Sequence, residues 1–378
     1  MIKRRIILLL AFILALAAIS NYGGVISYTL FYAVLLLPLL LLAYLAAVYA
    51  SFTVHQEIAT RNIVVGEPIP YRVLLKNEGY LVFTSVAMRF HSDYSYLADR
   101  PEREAFTLFP GEKAAFDTRL VCKYRGEYEV GVEKLVITDF FGIFRFSYRL
   151  PTTLAAIVKP RIVQLDVLRD VPELEVFLQS YVRQDINEPD LTVRAYVPGD
   201  PLKKIHWKAT AKSGELKVRE EVGTLKQKVL VLADFQRTSK EMPIFLPLEN
   251  QILEQTIALL YYFVREHIPA ELVFAGEKPE SRKVSSIPQF NQLYEELAAL
   301  RFREEASFAA LFAQTNVSGL FAGEMVIFLV IQALDGELFA ALTQLAATGK
   351  MVTAYVVGDG DIAEYVRQSS ARLRVVGV

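Results

Sequence analysis

The sequence predicts a membrane protein in three parts: two N-terminal transmembrane helices, an antiparallel β-sandwich domain, and an α/β domain with a doubly wound, mostly parallel sheet. Three observations predict it. Two uncharged apolar runs, Ile6–Ser20 and Val25–Ala50, open the chain. Short β-branched and aromatic runs then recur up to Leu150, parted by Gly, Pro and Asn turns. From Lys228 onward, near-continuous apolar strands alternate with amphipathic helices.

A hydrocarbon core about 30 Å thick needs roughly 20 apolar residues as helix. Val25–Ala50 clears that length, with Pro38 as a kink. Ile6–Ser20 is shorter, with Asn21 and Tyr22 at the interface. The transmembrane hairpin is assigned to residues 1–50. Lys3, Arg4 and Arg5 should hold the N-terminus in the cytoplasm, so the chain after Ser51 is also cytoplasmic and the protein is a multi-pass protein of the cell membrane. The rival reading is a cleaved signal peptide over Met1–Ser20, which would put the soluble part outside.

Residues 51–150 carry the sandwich. The alternation in "DTRLVCKYRGEYEVGVEKLVI" is that of half-buried strands. Residues 151–227 form a linker and motif region. In 228–378 the strands are "KVLVLADF", "AELVFAG", "EMVIFLVIQ" and "KMVTAYVVG"; helices are expected over Asn250–Ile268, "FNQLYEELAALRF" and "DGELFAALTQLAATG".

Composition excludes several functions. The 378 residues carry a formal charge of −1, so no global field attracts nucleic acid, and no nucleic-acid partner is expected. One cysteine, Cys122, excludes an intramolecular disulfide framework. No glycine-rich phosphate loop, GxSxG elbow or HExxH run occurs. His55, His91 and His267 share no ligand spacing and read as structural or surface residues.

The densest stretch is "VRAYVPGDPLKKIHWKATAKSGELKVREE", Val193–Glu221. Gly199 turns the chain, Asp200 suits an N-cap and Pro201 a first helical position. In the helix this implies, Lys204, Lys208 and Lys212 fall at i, i+4 and i+8. Such a stripe is either solvated or a docking face for an acidic partner or anionic lipid headgroups, which contribute about 1 kcal/mol per Lys near a membrane. Trp207, the only tryptophan, is expected as a core anchor; the other reading makes it an interface hot spot. Asp200 and His206 could support acid–base chemistry, but no Ser or Cys nucleophile accompanies them.

The strand ending in Asp234 resembles the first strand of the von Willebrand factor type A domain, whose D-x-S-x-S run, with a later Thr and Asp, binds Mg²⁺. Here the run is Asp234-Phe235-Gln236-Arg237-Thr238, with Asp335 as a distal carboxylate. Gln236 replaces a hydroxyl and Arg237 adds a positive charge, so Asp234, Thr238 and Asp335 read as a degenerate site whose metal is lost, and no cofactor is expected.

The Val193–Glu221 stretch is similar to the hallmark of the domain-of-unknown-function 58 family, close to R-x-Y-x-P-G-D-x-x-R-x-I-x-W-x-x-S-A-R-x-G-x-L-x-V-x-E. The chain supplies Arg194, Tyr196, Pro198, Gly199, Asp200, Ile205, Trp207, Ala211, Gly214, Leu216, Val218 and Glu220, with Lys204 and Lys212 in place of arginines and Thr210 in place of serine. "YRGEYEVGVEKLVITDFFGIF" resembles the family's R-G-x-Y-x-x-G…D-P-F-G-L-F run, with Phe140 in place of proline. The resemblance covers the chain. It implies a von Willebrand type A-like domain used for protein contact and a membrane-anchored, non-enzymatic adaptor working with a MoxR-type AAA+ ATPase. The residues expected to meet that partner are Arg194, Tyr196, Pro198, Gly199, Asp200, Lys204, His206, Trp207, Lys208, Lys212 and Glu220. The alternatives are an envelope-associated enzyme using Asp200 and His206, and a structural scaffold for a membrane assembly.

Overall fold

A computed structural model of the chain describes residues 2–60, 62–99, 105–150, 153–163, 191–197, 205–221, 229–275, 279–304, 307–317, 321, 326–358, 360, 362–370 and 372–378, with backbone alone at 191–194, 219–221 and 317. It divides into two compact units, Met1–Arg161 and Ile162–Val378.

The first unit opens with two helices, α1 (Ile2–Tyr22) and α2 (Val25–Ser51). They pack together, burying Ala15 and bringing the rings of Phe12 and Phe31 to 5.6 Å. Among the described residues one helix, α2, is long and apolar enough to cross a membrane or to serve as a signal sequence. The expectation of two transmembrane helices is corrected on this point. The uncharged run of α1 gives only about 22 Å of helix at ~1.5 Å per residue, short of the ~30 Å core.

Eleven strands follow: β1 (Phe52–Ile58), β2 (Ile63–Val64), β3 (Pro68–Asn77), β4 (Phe83–Phe90), β5 (Ser95–Leu97), β6 (Ala105–Leu108), β7 (Lys113–Cys122), β8 (Gly126–Val130), β9 (Val132–Thr138), β10 (Arg145–Arg149) and β11 (Leu154–Lys159). They form three sheets, in the orders β1-β3-β7-β5, β10-β9-β4-β6 and β2-β11-β8. The expected two-sheet antiparallel sandwich is therefore corrected to a mixed set, because the third sheet contains the parallel pair β11–β2.

The physical reason lies at Gly131. The run "GEYEVGVEKLVI", which reads as continuous alternation, is cut there. β8 pairs with β11, whereas β9 pairs with β4 and β10. Gly131 turns the chain at φ 82, and a Cβ on it would lie 2.5 Å from Gln56 Oε1 and 2.6 Å from Tyr71 Oη. Those two groups are bonded to each other: the Tyr71 hydroxyl donates to Gln56 Oε1 at 2.5 Å, and Val132 N–H donates to the same oxygen at 2.8 Å. Burial pushes the Tyr71 phenol well above its usual range.

The second unit begins with β12 (Leu191–Ala195), α3 (Trp207–Ser213) and β13 (Lys217–Glu221), and continues through β14 (Val229–Ala233), α4 (Met242–Arg265), β15 (Ala270–Ala275), β16 (Pro279–Val284), α5 (Ile287–Ala299) and α6 (Phe308–Val317). It ends with β17 (Val326–Ile331), α7 (Gly336–Ala347), β18 (Met351–Val356), α8 (Ala363–Arg367) and β19 (Leu373–Gly377). Six strands form one sheet, ordered β16-β15-β14-β17-β18-β19, and β12 and β13 form a separate antiparallel pair.

The large sheet is mixed: β16 runs antiparallel to β15, while the other neighbours are parallel. With the separate β12–β13 pair and the three sheets of the first unit, the fold class expected from the sequence is overturned, and the von Willebrand type A-like assignment falls with it. β14 is buried along its whole length: Val229, Val231 and Ala233 pack on one face with Ile257 and Phe263, and Leu230 and Leu232 pack on the other with Leu329 and Leu342. An all-apolar strand needs such cover on both faces.

Replacing Gly131 with Ala forces a strained φ and pushes on a bonded pair of side chains. It is expected to lower the stability of the first unit by about 2 kcal/mol or more. Denaturant unfolding in detergent checks this; an unchanged midpoint refutes it.

Candidate functional site

The hallmark stretch folds as a braced hairpin. Arg194 pairs with Val218 and Ala195 with Lys217, and Tyr196 N–H extends the ladder to Leu216 O at 2.8 Å. On the other side of β13, Ile205 forms a bridge to the same Val218, and His206 N–H donates to Lys217 O at 2.7 Å. Ile205 and Val218 are both buried there. The helix starts only after this bridge. His206 is its N-cap, with Nδ1 accepting from Ala209 N–H at 3.1 Å, and Gly214 ends it in the left-handed conformation at φ 74. Thr210 Oγ1 accepts from Lys217 N–H at 3.0 Å, and the Ser213 hydroxyl donates to Ala209 O at 2.9 Å.

This geometry corrects two expectations. The helix cap is His206 rather than Asp200, because the bridge at Ile205 requires extended backbone just before the helix. Of the lysine stripe, Lys208 and Lys212 lie one turn apart on α3. Pro198, Gly199, Asp200 and Lys204 lie outside the described residues; Arg194 and Glu220 are placed by backbone on β12 and β13. Trp207 is the second correction. It is 67% exposed rather than a core anchor, and Val197 and Leu216 are exposed with it. With Nδ1 held as an acceptor, the proton of a neutral His206 ring sits on Nε2.

The second candidate lies where β14 and β17 end. Asp234 is 8% exposed. Its carboxylate accepts from Gln236 N–H at 3.1 Å and from Gln332 N–H at 3.4 Å. Burial pushes its carboxyl up to about 6, against the opposing pull of those two N–H groups. The Thr238 hydroxyl donates to Gln332 Oε1 at 3.1 Å, and Gln332 Nε2 donates to Gln236 O. Arg237 turns away, forming a two-pronged pair with Glu249 at 2.7 and 3.3 Å while its guanidinium lies 4.0 Å over the Phe245 ring. Asp335 caps α7, accepting from Leu338 N–H at 2.8 Å.

The structure thus brings Asp234 and Thr238 together through Gln332 and places Asp335 in a cap. A hard cation needs several oxygens converging on one point, whereas the oxygens of Asp234 and Asp335 here accept backbone N–H groups. Among the described residues, no three His, Cys, Asp or Glu side chains gather to hold a metal. Gln332 and Glu249 were not visible as site residues in the sequence, since their partners lie 94 and 12 positions away.

No family model matches the sequence, and no curated protein matches it. Among solved structures, the chain is similar to proximal thread matrix protein 1 from the mussel byssus at 12% identity and TM-score 0.30, over 40% of this chain and 43% of that one. It is also similar to the secreted serine protease VesC from Vibrio cholerae (11%, TM-score 0.21, 36% and 27%) and to the sporulation control protein Spo0M from Bacillus subtilis (14%, TM-score 0.20, 39% and 58%). The chain spans less than two thirds of each of these proteins. Likeness at this level carries no argument about function.

Asp234 makes stability depend on pH. Between about pH 4 and pH 6 the folded chain keeps a proton that the unfolded chain has lost, so stability falls as pH rises through this window and is flat above it. The expected contribution is about 3 kcal/mol. Asp234→Asn should flatten that slope in unfolding curves recorded from pH 4 to 7; a slope equal to that of the parent rules this out.

Proposed function

We propose that the chain is a membrane-anchored protein-interaction protein rather than an enzyme, with the β12–α3–β13 hairpin as its docking surface. One observation carries this reading: the only tryptophan stands out from a hairpin whose described strands and helix are held by backbone hydrogen bonds on both sides of β13. Exposed Trp is costly to leave in water and is enriched where partners bind. Val197 and Leu216 are exposed elsewhere in the same hairpin, and Lys208 and Lys212 lie one turn apart on α3. The partner is then a protein with an apolar pocket and acidic rim. The family resemblance of the hallmark supplies its class, a MoxR-type AAA+ ATPase.

The anchor is α2, long enough alone to cross the cell membrane; α1, too short to match the core unaided, runs antiparallel along it and brings its N-terminus back to the Tyr44 end of α2. Arg4 and Arg5 donate to carbonyls of the turn after β9, so the basic start of α1 and the sheets of the first unit lie on the same side. Positive charge flanking a span favours the cytoplasm, which puts those sheets there.

Two experiments test this. A photo-crosslinker at Lys208 in cells should capture an AAA+ ATPase, and Trp207→Ala should weaken capture about tenfold or more; undiminished capture by the variant removes the hairpin from the interface. For sidedness, the one native thiol, Cys122, is buried, so a Cys placed at the exposed Ser92 reports alone. It should react with a membrane-impermeant maleimide only after cells are opened. Labelling of intact cells would place the sheets outside.

A further inference from the structure

We infer that the first unit lies directly on the bilayer, embedding a collar of apolar side chains from three turns in the lipid interface. The inference rests on the reading that α2 crosses the membrane and adds where the sheets sit relative to the lipid.

From Val25 to Tyr44, α2 covers about 29 Å at ~1.5 Å per residue, which matches a hydrocarbon core of ~30 Å. The membrane boundary therefore falls near Tyr44, two helical turns before α2 ends at Ser51. One face of those last turns packs on protein, with Leu45 and Val48 buried. The sheets reach down past the end of the helix to the level of Tyr44.

Two of the turns touch the helices there. The Tyr44 hydroxyl donates to Val82 O at 2.6 Å in the turn between β3 and β4. Its ring lies 4.7 Å from that of Phe140 in the turn between β9 and β10. In the same turn, Arg4 donates to Phe141 O at 2.9 Å and Arg5 to Ile143 O at 3.0 Å. Phe141 and Ile143 line a cavity with Ile7, Leu8, Ala11, Val34 and Leu37, side chains of the apolar runs themselves. The third turn, after β6, is joined to the first through Asn77. Its buried amide donates to Leu81 O at 2.8 Å and Leu108 O at 3.1 Å, while Gly111 N–H donates to Asn77 O at 3.0 Å.

What these turns present outward is apolar. Tyr80 is 98% exposed, and Leu81, Phe109, Phe140 and Phe141 are exposed as well. The acidic groups in the turns are engaged within them: Asp139 accepts from Phe141, Ile143 and Phe144 N–H, Glu112 accepts from Phe109 N–H, and Glu78 pairs with Lys76. Aromatic side chains at the level of interfacial arginines are the signature of a headgroup belt. A patch of this size facing water would be a liability, and continuity with the spanning helix identifies its occupant as lipid.

The test uses the full chain with Trp207→Phe, reconstituted into phosphatidylcholine vesicles with brominated acyl chains. A single Trp is placed at Phe140, at Tyr80, or at Tyr96 as control. Tyr96 is exposed at the opposite end of its sheet, paired with Val121, which also pairs with Pro68 at the far end of β3 from Asn77. Trp at 140 and at 80 should emit to the blue of Trp at 96 and lose most of its emission to bromine, while Trp at 96 is unaffected. Emission at 140 or at 80 as bright as at 96 overturns the collar. An alkaline wash separates the two readings: chain retained by the vesicles but unquenched leaves the anchor standing without the collar, and chain washed off removes both.

Discussion

Backbone N–H and C=O groups taken out of water must find partners, and this constraint shapes several turns and strand ends of the described residues, each through one or two polar side chains. Asn77 is completely buried and ties the turn after β3 to the turn after β6. Asp139 gathers three N–H groups and so forms the tight turn of "DFFGIF". Asp234 joins the ends of β14 and β17 through one N–H from each side. In the hallmark hairpin, His206 and Thr210 do the same work for α3 and β13. The sequence motifs that looked like chemistry are, in the main, solutions to this problem.

That bears on the strand-end aspartate. Its position suggests a ligand, yet its oxygens face backbone N–H groups, and Gln332 closes the gap to Thr238 with an amide that both accepts and donates. Arg237 is drawn off by Glu249 and Phe245 instead of facing the carboxylate. A buried carboxyl with no cation beside it among the described residues holds its proton more tightly than usual, in line with the direction of its shift. The cluster works as a latch between two strands.

Elements set by local pattern were legible in the sequence. The apolar runs that became β14, β17 and β18 lie where they were placed, and so does the helix "DGELFAALTQLAATG". The class of fold was not legible, because it depends on partners distant in sequence. Nothing near Gly131 shows that Gln56 and Tyr71 will meet it, so two strands of different sheets read as one. β16, "PESRKV", alternates in burial but is too polar to stand out as a strand. The hairpin was misread for a related reason: helix grammar at Asp200–Pro201 is genuine, but Ile205 is claimed by Val218. Of the residues expected to meet a partner, His206, Trp207, Lys208 and Lys212 fall in the described hairpin, and the exposure of Trp207 could be seen only once the fold around it was known.

The contacts of Arg4 and Arg5 also impose an order on biosynthesis. Their carbonyl partners lie 137 and 138 residues downstream. A ribosome adding ~5–20 residues per second needs roughly ten seconds or more to supply them. Through that interval the two arginines lack these carbonyl partners, so the contact between the start of α1 and the first unit closes only once the "DFFGIF" turn has been made.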